Sequence, residues 1–298
     1  MRLVTYAAEG AARAGVIAGD GTVVAARDLV KEAPDDALGV IAAGERTWRA
    51  LADAAQSAKG GTAVGQAKLL APIPRPKRNV FCVGWNYREH FAEGTSARGA
   101  NEPKELPQHP SFFSKNPNTV VGPDAGIRHP APISDRLDWE VELAVVIGRG
   151  GIDIPESSAL GHVFGYTIAN DVSVRDVQHD WHGGQWFKGK NFDTHLPLGP
   201  WIVTADELVD PQDLGICTRV NGVTKQDART SQMVFGVARI IAELSAGLTL
   251  EPGDVVITGT PSGVGNARVP KEFMKPGDTV EVEIESIGVL RNRIERRS

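Results

Sequence analysis

The run Leu143-Ala144-Val145-Val146-Ile147-Gly148 constrains the fold more than any other stretch, because an unbroken apolar run that ends at glycine reads as a buried strand. Glu140 and Glu142 stand at its start. Side chains alternate along a strand, so the two glutamates share a face. Two like charges side by side in a half-buried sheet repel each other and resist desolvation, which calls for a positive group between them. A divalent cation is the simplest such group. Asp171, further along in Ala169-Asn170-Asp171-Val172-Ser173, completes a three-carboxylate set if it ends a neighbouring strand, and an all-oxygen set favours Mg²⁺ or Mn²⁺ over zinc. The competing reading is a solvated strand face with both glutamates outward.

The length of 298 residues permits one large domain or two unequal ones with a substantial core. A hydrophobic share of 41% with 23% charged residues belongs to a globular protein rather than a disordered one. The formal net charge of -5, with no basic block longer than Arg296-Arg297, argues against a nucleic-acid or anionic-membrane partner. Cys82 and Cys217 lie far apart, and Cys82 sits in an apolar run, so both read as small hydrophobes rather than a disulfide or metal pair. The opening Met1-Arg2-Leu3-Val4-Thr5-Tyr6 meets charge and glycine by Glu9-Gly10, unlike a signal peptide, and no apolar run approaches the roughly 18 residues of a membrane span. The expected location is the cytoplasm.

Along the chain, short strands at Leu3 to Tyr6, Gly15 to Ala18 and Thr22 to Val24 precede helical stretches around Ala37 to Ala43 and Glu45 to Ala58, the latter with Trp48, Leu51 and Ala55 on one face. Pro72, Pro74 and Pro76 break regular structure, so the domain boundary is placed there: residues 1–71 form a small N-terminal α/β cap and residues 72–298 the main domain. Asn79 to Gly84 resumes as a strand, followed by a short helix on which His90 and Glu93 are neighbours. The polar stretch from Thr95 to Pro110 reads as a mobile loop of a size suited to a lid. Thr230-Ser231-Gln232 is expected to cap a late helix whose apolar stripe is Val234, Val237, Ile241 and Leu244. Two Pro-Gly turns, at Pro252-Gly253 and Pro276-Gly277, each lead into a strand; in the second, Glu281, Glu283 and Glu285 point outward, so this chain also uses Glu-x-Glu as plain surface. Many short strands and few helices, without a βαβ rhythm, indicate an α+β fold with mixed or antiparallel sheets.

Gly259-Thr260-Pro261-Ser262-Gly263-Val264-Gly265 lacks the spacing of a P-loop or a dinucleotide fingerprint, yet a glycine-rich loop at a strand end is a good place for backbone N–H groups to meet a carboxylate. His179-Asp180-Trp181-His182 lacks the further ligands of a zinc site, and no Gly-x-Ser-x-Gly occurs to seat a serine nucleophile. Lys188 and Lys190 lie among aromatics in Trp186-Phe187-Lys188-Gly189-Lys190-Asn191-Phe192, which makes at least one site-facing lysine a candidate.

These stretches resemble the fumarylacetoacetate hydrolase family. The resemblance rests on Gly84-x-Asn86-Tyr87-x-x-His90-x-x-Glu93, the Glu140-x-Glu142 strand, Asn170-Asp171-x-Ser173-x-Arg175-Asp176-x-Gln178, Gly189-Lys190-x-Phe192-Asp193-Thr194 and Thr258-Gly259-Thr260-Pro261, in that order. It covers Pro72 to the C-terminus. It implies a β-roll-like catalytic domain, usually dimeric, behind a variable N-terminal domain. It also implies that Glu140, Glu142 and Asp171 are Mg²⁺ ligands, that His90 and Glu93 activate water, that Lys190 lies near the oxyanion, and that Arg175, Gln178 and Thr260 line the substrate pocket. Asn191 and Trp85 depart from the commoner pattern without touching a ligand position.

Such a site suits a small 2-oxo acid, whose keto and carboxylate oxygens chelate the ion while an enolate forms. The leading expectation is an acylpyruvate-type hydrolase, with His90 taking a proton from water and Lys190 and Gln178 donating to the developing charge. Tautomerisation of an unsaturated 2-oxo diacid, decarboxylation of oxaloacetate and hydration of a 2-oxo alkenoate use the same enolate. A non-catalytic dicarboxylate binder is the rival from another class, and it would need no base such as His90. Trp181, His182 and the Thr95 to Pro110 loop are candidate contacts for the distal part of the substrate.

Overall fold

The structure, a computed structural model, describes residues 1–94, 104–208 and 210–296. Residues 95–103 of the expected lid lie outside the described residues.

Most of the apolar run, Leu143 to Ile147, lies in the strand Val141–Ile147, in which every residue is buried. Its parity explains why. Val141, Leu143, Val145 and Ile147 join a core shared with Ile216, Val280, Val282 and Ile284, whereas Ala144 and Val146 face a second core with Val40, Ile41 and Leu51. Apolar side chains are needed on both faces, and each large one withdrawn from water contributes about 1.5–3 kcal/mol.

Among the described residues the larger sheet has twelve strands. Val141–Ile147 lies near its middle, antiparallel to Val163–Asn170 on one side and to Val255–Ile257 on the other. Beyond Val255–Ile257 comes Val80–Gly84, in parallel, and then Ser111–Lys115. A five-stranded sheet of Val223–Arg229, Gly215–Val220, Thr279–Ile284, Gly288–Glu295 and Gly126–Arg128 covers one face. The architecture is therefore α+β with mixed sheets that do not close. The outward Glu281 and Glu283 fall where expected, paired with Arg291 and Arg219.

The N-terminal segment extends this sheet. Arg2–Ala8 pairs antiparallel with Leu196–Thr204, with Leu3 opposite Ile202, and Thr5 Oγ1 donates to Pro72 O at 2.7 Å. The helix Glu45–Ser57 buries Leu51 and Ala55, and its Trp48 ring meets Phe164 edge-on at 4.9 Å.

The late helix starts later than its sequence suggests. It spans Val237–Ser245, and Thr230–Gln232 is a separate 3₁₀ turn. The cause lies in distant partners: Asn86 accepts from Phe235 N at 2.7 Å and donates to Phe235 O at 2.9 Å, while Gln212 Oε1 takes the Val237 N–H at 2.6 Å. Val234 therefore falls outside the helix, and Val237, Ile241 and Leu244 carry the buried stripe.

Candidate active site

The strand register builds the carboxylate cluster. Val141 pairs with Asn170, so Glu140 and Asp171 are the residues just beyond the last pair, and Asp171 N donates to Glu140 O at 2.8 Å. Glu142 projects from the same end of the sheet. Carboxylate oxygens of Glu140, Glu142 and Asp171 lie within 4.8 Å of one another, and all three residues are buried. The solvated-face reading does not hold.

Positive groups approach this cluster unevenly. Lys190 Nζ lies 2.7 Å from Glu140 Oε2 and 2.6 Å from Asp171 Oδ2, and Arg175 Nη1 lies 2.7 Å from Glu140 Oε1. Lys115 Nζ lies 2.8 Å from Asp171 Oδ1. Burial disfavours the Glu140 anion, but Lys190 and Arg175 outweigh it and hold its pKa far below the usual range. Glu142 behaves oppositely: burial, then Asp171 and Glu140, push its carboxyl well above that range. A cation at the three carboxylates would relieve this cost, and the hard all-oxygen donor set fits a divalent ion. Burial also opposes the Lys190 ammonium, yet Asp171 and Glu140 prevail and raise its pKa, whereas for Lys115 burial wins and lowers it.

His90 and Glu93 sit on the short helix Arg88–Glu93, three residues apart, with His90 Nδ1 2.8 Å from Glu93 Oε1. Glu93 is itself held, because its Oε2 accepts from Gly263 N at 2.8 Å. The glycine-rich loop supplies backbone donors elsewhere too: Gly259 N donates to Glu142 Oε2 at 2.6 Å and Gly265 N to Asp138 Oδ1 at 2.7 Å. The loop's N–H groups thus meet carboxylates of the protein itself. Gly259 and Gly263 have φ of 95° and 103°, a region costly for any residue with a Cβ.

One cavity joins these groups: His90, Glu140, Glu142, Arg175, Lys190 and Thr260 all line it. Gln178 lines it too and accepts from Arg175 Nη1 at 3.1 Å; Thr260 Oγ1 accepts from Gln226 Nε2 at 2.8 Å. Arg175 spends its Nε on Asp138, while its buried Nη2 meets no hydrogen-bond partner among the described residues. Trp85, Trp186 and Phe113 form an apolar wall, with the two tryptophans edge to face at 4.6 Å. Trp181 and His182 are exposed and do not line the cavity, and neither belongs to a metal-ligating group among the described residues. Of the two candidate lysines, Lys190 is buried in the site, whereas Lys188 is exposed with its ammonium over Phe192.

Sequence reasoning missed Lys115 and Asp138. Lys115 gives no local signal, since it ends an ordinary strand, Ser111–Lys115, far from Asp171 in sequence. Asp138 could have been noticed, because it opens the Asp-Trp-Glu-Val-Glu run two residues before Glu140. No helix among the described residues is long and apolar enough to cross a membrane.

An α+β mixed-sheet scaffold buries three carboxylates spaced so that they could hold a metal ion, and His90 lines the same cavity as two of them. Residues 79–295 match the family described as "Fumarylacetoacetate (FAA) hydrolase C-terminal", and the chain belongs to that family. It is 43% identical over 232 residues to oxaloacetate tautomerase YisK of Bacillus subtilis (strain 168), covering 78% of this chain and 74% of the relative. It is 48% identical over 229 residues to mitochondrial oxaloacetate tautomerase FAHD2A of Bos taurus, covering 77% and 70%. Maleylpyruvate hydrolase from Sphingobium sp. SYK-6, solved in complex with manganese(II) ion and pyruvate, superposes with a TM-score of 0.80 at 27% identity, over 100% of both chains.

Proposed function

We propose that this protein is a divalent-metal-dependent tautomerase that interconverts the keto and enol forms of oxaloacetate or a closely similar small 2-oxo dicarboxylic acid. The observation that carries the reading is the buried Glu140, Glu142 and Asp171 cluster, two of whose members, Glu140 and Glu142, line one cavity with His90, the histidine that Glu93 holds. The tautomerase relatives support the choice of substrate.

Glu140, Glu142 and Asp171 would hold Mg²⁺ or Mn²⁺, which as a Lewis acid supplies stabilisation of charge on the substrate's 2-oxo oxygen. In the keto-to-enol direction His90 takes a proton from C3, and the C–H electron pair becomes the C2–C3 double bond. Glu93, bonded to Nδ1, orients the ring and stabilises the imidazolium. A proton is then delivered to the 2-oxo oxygen, so no atom is gained or lost. Lys190 spends two N–H groups on Glu140 and Asp171, and its remaining one is the proposed donor to the developing enolate. Arg175, Gln178 and Thr260, which line the cavity, would orient the substrate carboxylates. A homodimer and a cytoplasmic location belong to the same proposal.

Hydrolysis of an acylpyruvate, the reaction first expected, is the second reading. A carboxylate-backed histidine suits water activation equally, and the maleylpyruvate hydrolase neighbour favours it. The two separate in one experiment: purified protein with Mg²⁺ or Mn²⁺ receives oxaloacetate or acetylpyruvate, with and without chelator, and products are followed by NMR. Accelerated keto–enol exchange of oxaloacetate without acid release supports the tautomerase. Pyruvate plus acetate from acetylpyruvate moves the function to hydrolysis, and pyruvate from oxaloacetate alone moves it to decarboxylation.

A further inference from the structure

Asp138 belongs neither to the carboxylate cluster nor to the His90–Glu93 pair, yet it is fully buried and its two oxygens accept four hydrogen bonds. Oδ1 takes the backbone N–H of Trp139 at 2.9 Å and of Gly265 at 2.7 Å. Oδ2 takes Asn266 N–H at 2.9 Å and Arg175 Nε at 2.7 Å. The backbone around it is equally fixed: Asp138 pairs with Ser173, and Arg175 N donates to Arg136 O at 3.0 Å. Gly265 approaches so closely that a Cβ there would stand 2.8 Å from Asp138 Oδ1 and 1.9 Å from Glu272 O.

We propose that Asp138 is a positioning residue: it holds Arg175 against Glu140, joins it to the 265–266 turn that walls the cavity, and compensates the guanidinium so that the carboxylate cluster keeps its attraction for a divalent ion. This rests on the metal-dependent reading above. Lys190 Nζ and Arg175 Nη1 each lie 2.7 Å from Glu140, so both compete with an ion for that carboxylate. Asp138 supplies Arg175 with a second carboxylate, 2.7 Å from its Nε. With its Nε bonded to Asp138, Arg175 reaches Glu140 Oε1 as half of a compensated pair and so as a weaker competitor for the metal ligand.

The test compares wild type, Asp138→Asn, Arg175→Gln and the double variant. An asparagine turns one acceptor oxygen into a donor facing two N–H groups, so at least two of the four bonds are lost with little change in volume. Mn²⁺ affinity of the unliganded protein, by calorimetry, is the first readout, and kcat and KM for oxaloacetate tautomerisation are the second. Asp138→Asn is expected to bind Mn²⁺ about 10- to 100-fold more weakly and to lose kcat in similar proportion, as for other groups that orient metal ligands. The double variant should be no worse than Arg175→Gln. Wild-type Mn²⁺ affinity in Asp138→Asn, or losses that multiply in the double variant, would overturn the role. A wild-type protein that binds no Mn²⁺ would instead overturn the metal reading, and this inference with it. If Asp138→Asn does not fold, Asp138→Glu keeps both acceptors one methylene further out and is read in the same way.

Discussion

A glutamate at position 142 would be ordinary on a wet strand, but here burial, Asp171 and Glu140 raise its pKa, with a backbone N–H from Gly259 as its hydrogen-bond donor. Glu142→Gln removes a like charge from a crowded site. It should therefore leave the metal-free melting temperature unchanged or higher while abolishing Mn²⁺ binding; retained binding in calorimetry would count against the ligand assignment. His90→Ala should lower kcat about 10²- to 10⁴-fold, the usual share of a general base, with Mn²⁺ affinity kept within a few-fold. His195 concerns stability. It is fully buried, bonded through Nε2 to Arg128 O at 2.9 Å, and burial lowers its pKa from the ordinary 6.5 to about 3. The unfolded chain takes up this proton below pH 6.5 and the folded chain does not, so stability present above 6.5 is lost as the pH falls towards 3. Urea midpoints should show His195→Gln losing about 2 kcal/mol less than wild type between pH 7.5 and 5, and parallel losses would place the histidine outside this linkage.

At the scale of elements, the glycine-rich loop ties the site together, since Gly259, Gly263 and Gly265 donate to Glu142, Glu93 and Asp138. Gly265→Ala forces a Cβ into Glu272 O, so it should destabilise the protein by about 1–3 kcal/mol and lower kcat as well; a variant with wild-type stability would mean the turn yields easily. The central strand was legible because its cause is local: apolar residues in sequence, with two glutamates at the correct parity. The short helix bearing His90 and Glu93 was legible for the same reason. The start of the late helix was not, because Asn86 and Gln212 decide it from positions far away in the chain. Lys115 is hidden for the same reason, as its partner Asp171 is brought near only by the fold.

At the scale of the whole molecule, α+β class and mixed sheets were readable from strand count and turn residues. Sheet membership of the first seventy residues was not readable, because it depends on Leu3 finding Ile202 across the chain. Deleting residues 1–71 uncovers the Leu196–Thr204 edge and the core face around Val146, Ile202 and Leu198, so the remainder should be poorly soluble; a monodisperse, active fragment 72–298 would show the cap to be dispensable. The proposed function rests on metal-assisted enolate formation, a reading that the oxaloacetate tautomerase relatives and the buried carboxylate cluster support. The most direct measurement is therefore the rate at which enol oxaloacetate converts to the keto form, followed by its ultraviolet absorbance in stopped flow. Rates with chelated protein and with Mn²⁺ restored would be compared with a metal-only control. Acceleration by the protein that vanishes on chelation and returns with Mn²⁺ is the predicted result. Rates indistinguishable from the metal-only control, or equal before and after chelation, would contradict it.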